Sequence, residues 1–184
     1  MEKKPMIAGL GGSLRESSYS CVALNAALYI AEANGAMTEL LDVRELDLPL
    51  FVPDLPVEAY PTRYQPNITR LISVCRHASG MIWCSPTYHG TVSGAFKNAV
   101  DFLELLIDEQ PPYLQGRAVA LMTVPDASTF SAMADSVHEL RAWLAPTRVV
   151  VKEDDFTVDL LLNNERTHRR ITRLVQELLG FVQQ

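Results

Sequence analysis

Four serines, three glycines and one arginine crowd into twelve residues near the start of the chain, Gly9-Leu10-Gly11-Gly12-Ser13-Leu14-Arg15-Glu16-Ser17-Ser18-Tyr19-Ser20. That composition suits an anion. Glycines let the backbone approach closely, and Ser13, Ser17, Ser18 and Ser20 can each donate a hydrogen bond. Arg15 carries a forked cation that matches phosphate. The stretch follows a short apolar run, Met6-Ile7-Ala8, and precedes a helical pattern. It therefore reads as the turn from a strand into a helix, where free backbone N–H groups and the helix dipole also favour an anion. The competing reading is a plain strand-to-helix turn with a serine cap.

Two familiar phosphate motifs do not fit. No Lys-Ser or Lys-Thr follows the loop, so it is not a P-loop. Leu14 stands where the dinucleotide fingerprint Gly-x-Gly-x-x-Gly needs its third glycine.

A second concentration of chemistry lies at Ser85-Pro86-Thr87-Tyr88-His89-Gly90-Thr91. Pro86 stiffens the backbone, Tyr88 offers an aromatic face and Gly90 permits close approach. Backbone N–H groups here can bond a planar heterocycle while Tyr88 packs on it. The plainer reading is a turn whose tyrosine fills the edge of the core.

The elements that must position these loops follow from the hydrophobic pattern. Short apolar runs at residues 6–10, 38–43, 80–84, 117–124 and 149–151 read as strands. Helical spacing appears at residues 18–34, 67–77, 94–108, 129–144 and from about 164 onward. Asn34-Gly35 stops the first helix. Five strands alternating with helices predict an α/β fold: a doubly wound five-stranded parallel sheet with helices on both faces. Ligands of such sheets bind beyond the strand C-termini at the switch point, which would bring the two loops together.

Two stretches ask for a partner. Residues 44–66 hold five of the chain's eleven prolines and make an unusually long loop, either a lid or oligomer contact or a loose excursion. The 94–108 helix is apolar on a second face (Phe102, Leu105, Leu106), for which a second subunit is the simplest cover.

Composition narrows the rest. The 184 residues are 48% hydrophobic and 21% charged, as expected of one globular domain, 1–184. The net charge of −6 argues against nucleic acid as a partner, and no apolar run spans a membrane. Three scattered cysteines (Cys21, Cys75, Cys84) fit reduced thiols, and four histidines without metal-ligand spacing point to no metal. Without a leader-like N-terminus, a cytoplasmic protein is the expectation.

Taken together, Gly12-Ser13-Leu14-Arg15-x-x-Ser18, Ser85-Pro86-Thr87-Tyr88 with Gly90, and Gly94-x-x-Lys97-Asn98-x-x-Asp101-Phe102 resemble the NADPH-dependent FMN reductase family, as does Asp47-Leu48-Pro49-Leu50-Phe51. The resemblance covers most of the chain and implies a flavodoxin-like fold. It implies that Ser13, Arg15, Ser18 and Ser20 surround the FMN phosphate, and that Pro86, Thr87, Tyr88, His89 and Gly90 line the isoalloxazine ring. It further implies a homodimer or homotetramer, with NADPH or NADH as electron donor. The small-molecule acceptor would be free flavin, a quinone, an azo compound or a metal oxyanion. No side chain need serve as a catalytic acid or base. Lys97, Asn98 and Asp101 are expected to hold the helix and interface. Three positions depart from the family pattern: Ser20 and His89 stand where Asn is usual, and residues 123–129 lack the customary glycines. His89 either tunes the flavin and exchanges protons with it or simply packs. A flavodoxin-type electron carrier, or an FMN-binding relative without turnover, remain the alternatives.

Overall fold

The computed structural model describes residues 4–183. The chain opens with β1 (Met6–Gly11), α1 (Tyr19–Ala33) and β2 (Met37–Asp42), followed by a single helical turn, α2 (Val43–Leu46). α3 (Gln65–His77) leads into β3 (Gly80–Tyr88) and a two-residue β4 (Thr91–Val92). α4 (Gly94–Asp101) continues as a 3-10 segment, Phe102–Leu106. Then come β5 (Ala118–Val124), α5 (Thr129–Glu139), β6 (Trp143–Val150) and α6 (Glu165–Val182).

Five parallel strands in the order β2-β1-β3-β5-β6 form the predicted doubly wound sheet. A sixth, β4, was not anticipated; it folds back antiparallel on the end of β3 through Thr87–Val92 and Tyr88–Thr91. The inner strands are apolar along their length because both faces are covered. One face is sealed by α1 and α6, the other by α3, α4, α5 and the proline-rich segment. The sequence therefore winds first to one side of β1 and then to the other, and the β1 and β3 C-termini meet at the reversal.

Several predicted boundaries move. β3 runs four residues past Cys84, so Ser85–Tyr88 belong to a strand and not to a loop. The helix expected over 129–144 stops at Glu139, where Arg141 takes a left-handed φ of 60° and the chain re-enters the sheet at Trp143. β6 is accordingly longer than the 149–151 expected. It is an edge strand with a register shift opposite Val119–Leu121, and there Pro146 is tolerated. The 94–108 helix tightens into 3-10 geometry at Phe102.

The proline-rich segment supplies the cover that the second apolar face of that helix lacked. Phe102 is fully buried, with the Phe51 ring edge-on at 5.3 Å and the Tyr60 ring at 5.6 Å. Asn98 pins the segment from α4: its Oδ1 accepts from the Phe51 N–H at 2.9 Å and its Nδ2 donates to the Pro49 carbonyl at 2.8 Å. The Val52 N–H donates to the Tyr60 hydroxyl at 2.8 Å. Phe102 thus has an intrachain partner, and the segment is packed along much of its length. Lys97 and Asp101 pair with each other along α4.

Candidate functional site

The β1–α1 turn is built around a close crossing of two backbones. A side chain at Gly11 would come within 1.9 Å of the Cys84 carbonyl on β3, and Gly12, at φ +91°, donates its N–H to that carbonyl at 3.1 Å. Neither position tolerates a Cβ. The turn is braced from beneath by Asp42 at the end of β2. That carboxylate accepts from the Arg44 N–H at 2.9 Å and from the Cys21 thiol at 3.1 Å. Burial, then the bond to Asp42, pushes the Cys21 thiol up to about 12.

Beyond Gly12 a run of backbone donors is left open. Ser18 caps α1, its Oγ accepting the Cys21 N–H at 3.2 Å and lying 3.0 Å from Ser20 Oγ. Ser13 Oγ accepts the Arg15 N–H at 3.1 Å. Among the described residues, the N–H groups of Glu16 through Ser20 have no acceptor, and the Arg15 guanidinium forms no ion pair. This is a concentration of unspent donors at a helix N-terminus.

Across the gap stands the end of β3. Pro86 is buried, Thr87 half-buried and Tyr88 exposed; the Tyr88 hydroxyl reaches back to Ser13 Oγ at 3.3 Å and links the two walls. Between them lies a cleft of about 270 Å³, also lined by Val124 and Pro125 at the end of β5 and by Glu153 after β6. A larger groove of about 560 Å³, between the proline-rich segment, α4 and α5, carries Asp54, Asp101, Glu104, Asp135 and Glu139 against Lys97. Its charge is wrong for a phosphate.

Seven of the nine residues expected at the site meet in the smaller cleft: Ser13, Arg15, Ser18, Ser20, Pro86, Thr87 and Tyr88. His89 and Gly90 do not line it. They form the exposed β3–β4 turn, both at left-handed φ (52° and 80°). Ser17 and Tyr19 also line the cleft; the Tyr19 ring lies 4.9 Å from that of Phe156. Val124 and Pro125 follow from the rule that places ligands at strand C-termini, applied to the strand beside β3. Glu153 carried no signal, since Lys152-Glu153-Asp154-Asp155 reads as a solvated charge run.

Among the described residues, no three His, Cys, Asp or Glu side chains converge as metal ligands, and no helix is long and apolar enough to cross a membrane.

The family model described as NADPH-dependent FMN reductase matches residues 5–160. The NADPH-dependent FMN reductase ArsH of Acidithiobacillus ferrooxidans is 33% identical over 140 residues, covering 76% of this chain and 55% of the relative. A quinone reductase of Escherichia coli is 32% identical over 124 residues, 67% of this chain and 61% of its own. The chain thus spans about half the length of the first ArsH relatives. Among solved structures, the flavoenzyme NAD(P)H:(acceptor) oxidoreductase FerB of Paracoccus denitrificans superposes with a TM-score of 0.72 at 18% identity, over 97% of each chain. RosB, with bound 8-demethyl-8-formylriboflavin-5'-phosphate, gives a TM-score of 0.75 at 14% identity, over 97% of this chain and 79% of its own. At such identities the likeness establishes the flavodoxin-like fold.

Proposed function

Because the chain belongs to the NADPH-dependent FMN reductase family, we propose that it is an FMN-dependent oxidoreductase using NADPH or NADH to reduce a small acceptor of the quinone or flavin class. The observation that carries this reading is the meeting of the β1–α1 donors and the β3 end in one cleft at the sheet's switch point. The donor set fits a phosphate monoester: open backbone N–H groups at residues 16–20, the Ser13, Ser18 and Ser20 hydroxyls, and an unpaired Arg15. Pro86, Thr87 and Tyr88 then form the wall for the ring. His89 and Gly90, in the exposed turn that follows, would meet only a part of the ring lying outside the cleft. FMN, when bound, supplies the two-electron chemistry between nicotinamide and acceptor.

The protein's part is binding, orientation and charge. Arg15 and the α1 N-terminus offset the phosphate charge, and the buried Pro86 and Val124 give the cleft an apolar wall. No titrating side chain is required. In this reading the 184 residues act as a single FMN-binding domain, in the cytoplasm, where the unpaired thiols stay reduced. Leu14 (66% exposed) and Leu50 (81%) flank the site as uncovered apolar surface, which supports a homodimer or homotetramer. Light scattering on a sizing column tests that point. The activity is tested by reconstituting the protein with FMN and following NADPH and NADH consumption with a quinone or free flavin as acceptor. Consumption that needs both bound FMN and the acceptor supports the proposal. FMN binding without nicotinamide oxidation would instead make the chain an electron carrier or an FMN-binding protein without turnover.

A further inference from the structure

Behind the cleft wall runs a chain of hydroxyls that none of the motifs announces. Thr129 Oγ1, at the start of α5, donates to Thr123 Oγ1 at 2.8 Å, and Thr123 donates in turn to the Ser85 carbonyl at 3.0 Å. Both threonines are fully buried. The Thr87 hydroxyl, on the cleft side, lies 3.4 Å from Thr123 Oγ1 and 3.3 Å from the Asp126 carbonyl. Each hydroxyl owns one proton. With the Thr129 proton given to Thr123 and the Thr123 proton given to Ser85, Thr87 must be the donor in its contact with Thr123. The Asp126 carbonyl can only accept. The single Thr87 proton is therefore shared between these two acceptors of the 123–126 segment, and among the described residues nothing donates to the lone pairs of this cleft-lining hydroxyl. The same network ties the ends of β3 and β5 to the first turn of α5, so the wall is fixed in place as well as in polarity.

We propose that Thr123 is a positioning residue for the bound flavin: acting through Thr87, it sets a hydrogen-bond acceptor on the cleft wall for an N–H or O–H of the ring or its ribityl chain. This inference rests on the reading that the cleft takes FMN. It also gives the glycine-free 123–129 segment a part at the site, through Thr123, Asp126 and Thr129 rather than through a flexible turn.

The test is a double-mutant cycle on flavin affinity, read from flavin fluorescence with the full chain and with FMN and riboflavin as probes. Thr123→Val is expected to weaken both flavins by the same factor, about fivefold, the worth of one hydrogen bond in a partly buried site. It is also expected to shift the visible band of the bound flavin. In a Thr87→Val background the same substitution should change affinity by less than about twofold, because the group through which it acts is gone. Thr123→Ser keeps Oγ and should restore wild-type affinity and spectrum. Thr123→Ala is a second hydroxyl-free variant if the valine protein fails to fold, and melting of the ligand-free proteins checks folding. Wild-type affinity and spectrum in the hydroxyl-free variant, equal losses in both backgrounds, or no recovery in Thr123→Ser would overturn the proposal. Failure of the underlying reading looks different: the wild-type chain would bind neither flavin, and the proposal would fall with it.

Discussion

Arg15→Ala isolates the phosphate from the rest of the ligand. Arg15 lines the cleft, is exposed, and has no ion-pair partner among the described residues, so its removal breaks nothing in the ligand-free protein. A cation about 4 Å from a phosphate of charge −1.5 to −2 gains about 1.5–2 kcal/mol even at the dielectric of water. A charge-assisted hydrogen bond gives about 1.5–3 kcal/mol, and exposure pulls the value toward the lower end. The expected loss is therefore about 1–2 kcal/mol, or about 5- to 30-fold in Kd for FMN. Riboflavin shares the ring and ribityl chain but lacks the phosphate, so its Kd should stay within about twofold. Raising the salt should weaken FMN binding by the wild type more than by the variant, and Arg15→Lys should fall between them because it keeps charge without the fork. Fluorescence titration of both flavins, with melting of the ligand-free proteins as control, measures all of this. Equal loss for FMN and riboflavin, or unchanged FMN affinity, would refute the assignment of this loop to the phosphate.

Asn98→Ala removes both anchors of the proline-rich segment, the Phe51 N–H and the Pro49 carbonyl. It should cost about 2–3 kcal/mol in urea unfolding, and a cost below about 0.5 kcal/mol would mean that aromatic packing alone holds the segment. Burial and the Asp42 bond raise the Cys21 thiol to about 12; burial, against the opposing Arg117 charge, does the same for Cys75, and burial with Cys21 nearby pushes Cys84 up. Native protein near pH 8 should therefore react with a thiol reagent far more slowly than denatured protein, which should release all three thiols; fast reaction at Cys21 would contradict its environment. For Glu177, partial burial works against ionisation. The Thr147 hydroxyl and N–H, with Arg173, outweigh it and hold the carboxyl below its ordinary value of 4.5. A folded pKa below the unfolded one stabilises above the unfolded value and is lost as pH falls through the folded value. Stability should thus fall less steeply below about pH 4.5 in Glu177→Gln than in the wild type, and parallel curves would count against that linkage.

How much of this was legible beforehand depended on whether the cause was local. The first loop could be read residue by residue, because glycines at a strand end followed by hydroxyls and a helical period have a local physical meaning. The helix begins about where the pattern put it, with Ser18 as its cap, and the turn before it places Gly12 at a left-handed φ. The end of the 129–144 period was misread because Leu144 continues the spacing of Met133, Val137 and Leu140; pairing with Ala118 and Val119 of β5 captures Trp143 and Leu144 instead. Phe102 looked like an interface residue because its cover, Phe51 and Tyr60, lies some forty to fifty positions earlier in the sequence. The hydroxyl chain was invisible for the same reason: Ser85, Thr123 and Thr129 are ordinary residues until the β3–β5 register sets Ser85 opposite Thr123.

The most direct test of the account is an anaerobic addition of NADPH, and separately NADH, to the FMN-reconstituted protein while the flavin absorbance is recorded. The account predicts that the visible band bleaches with one of the two nicotinamides and returns when a quinone is added. Tightly held FMN that keeps its colour under both would contradict it.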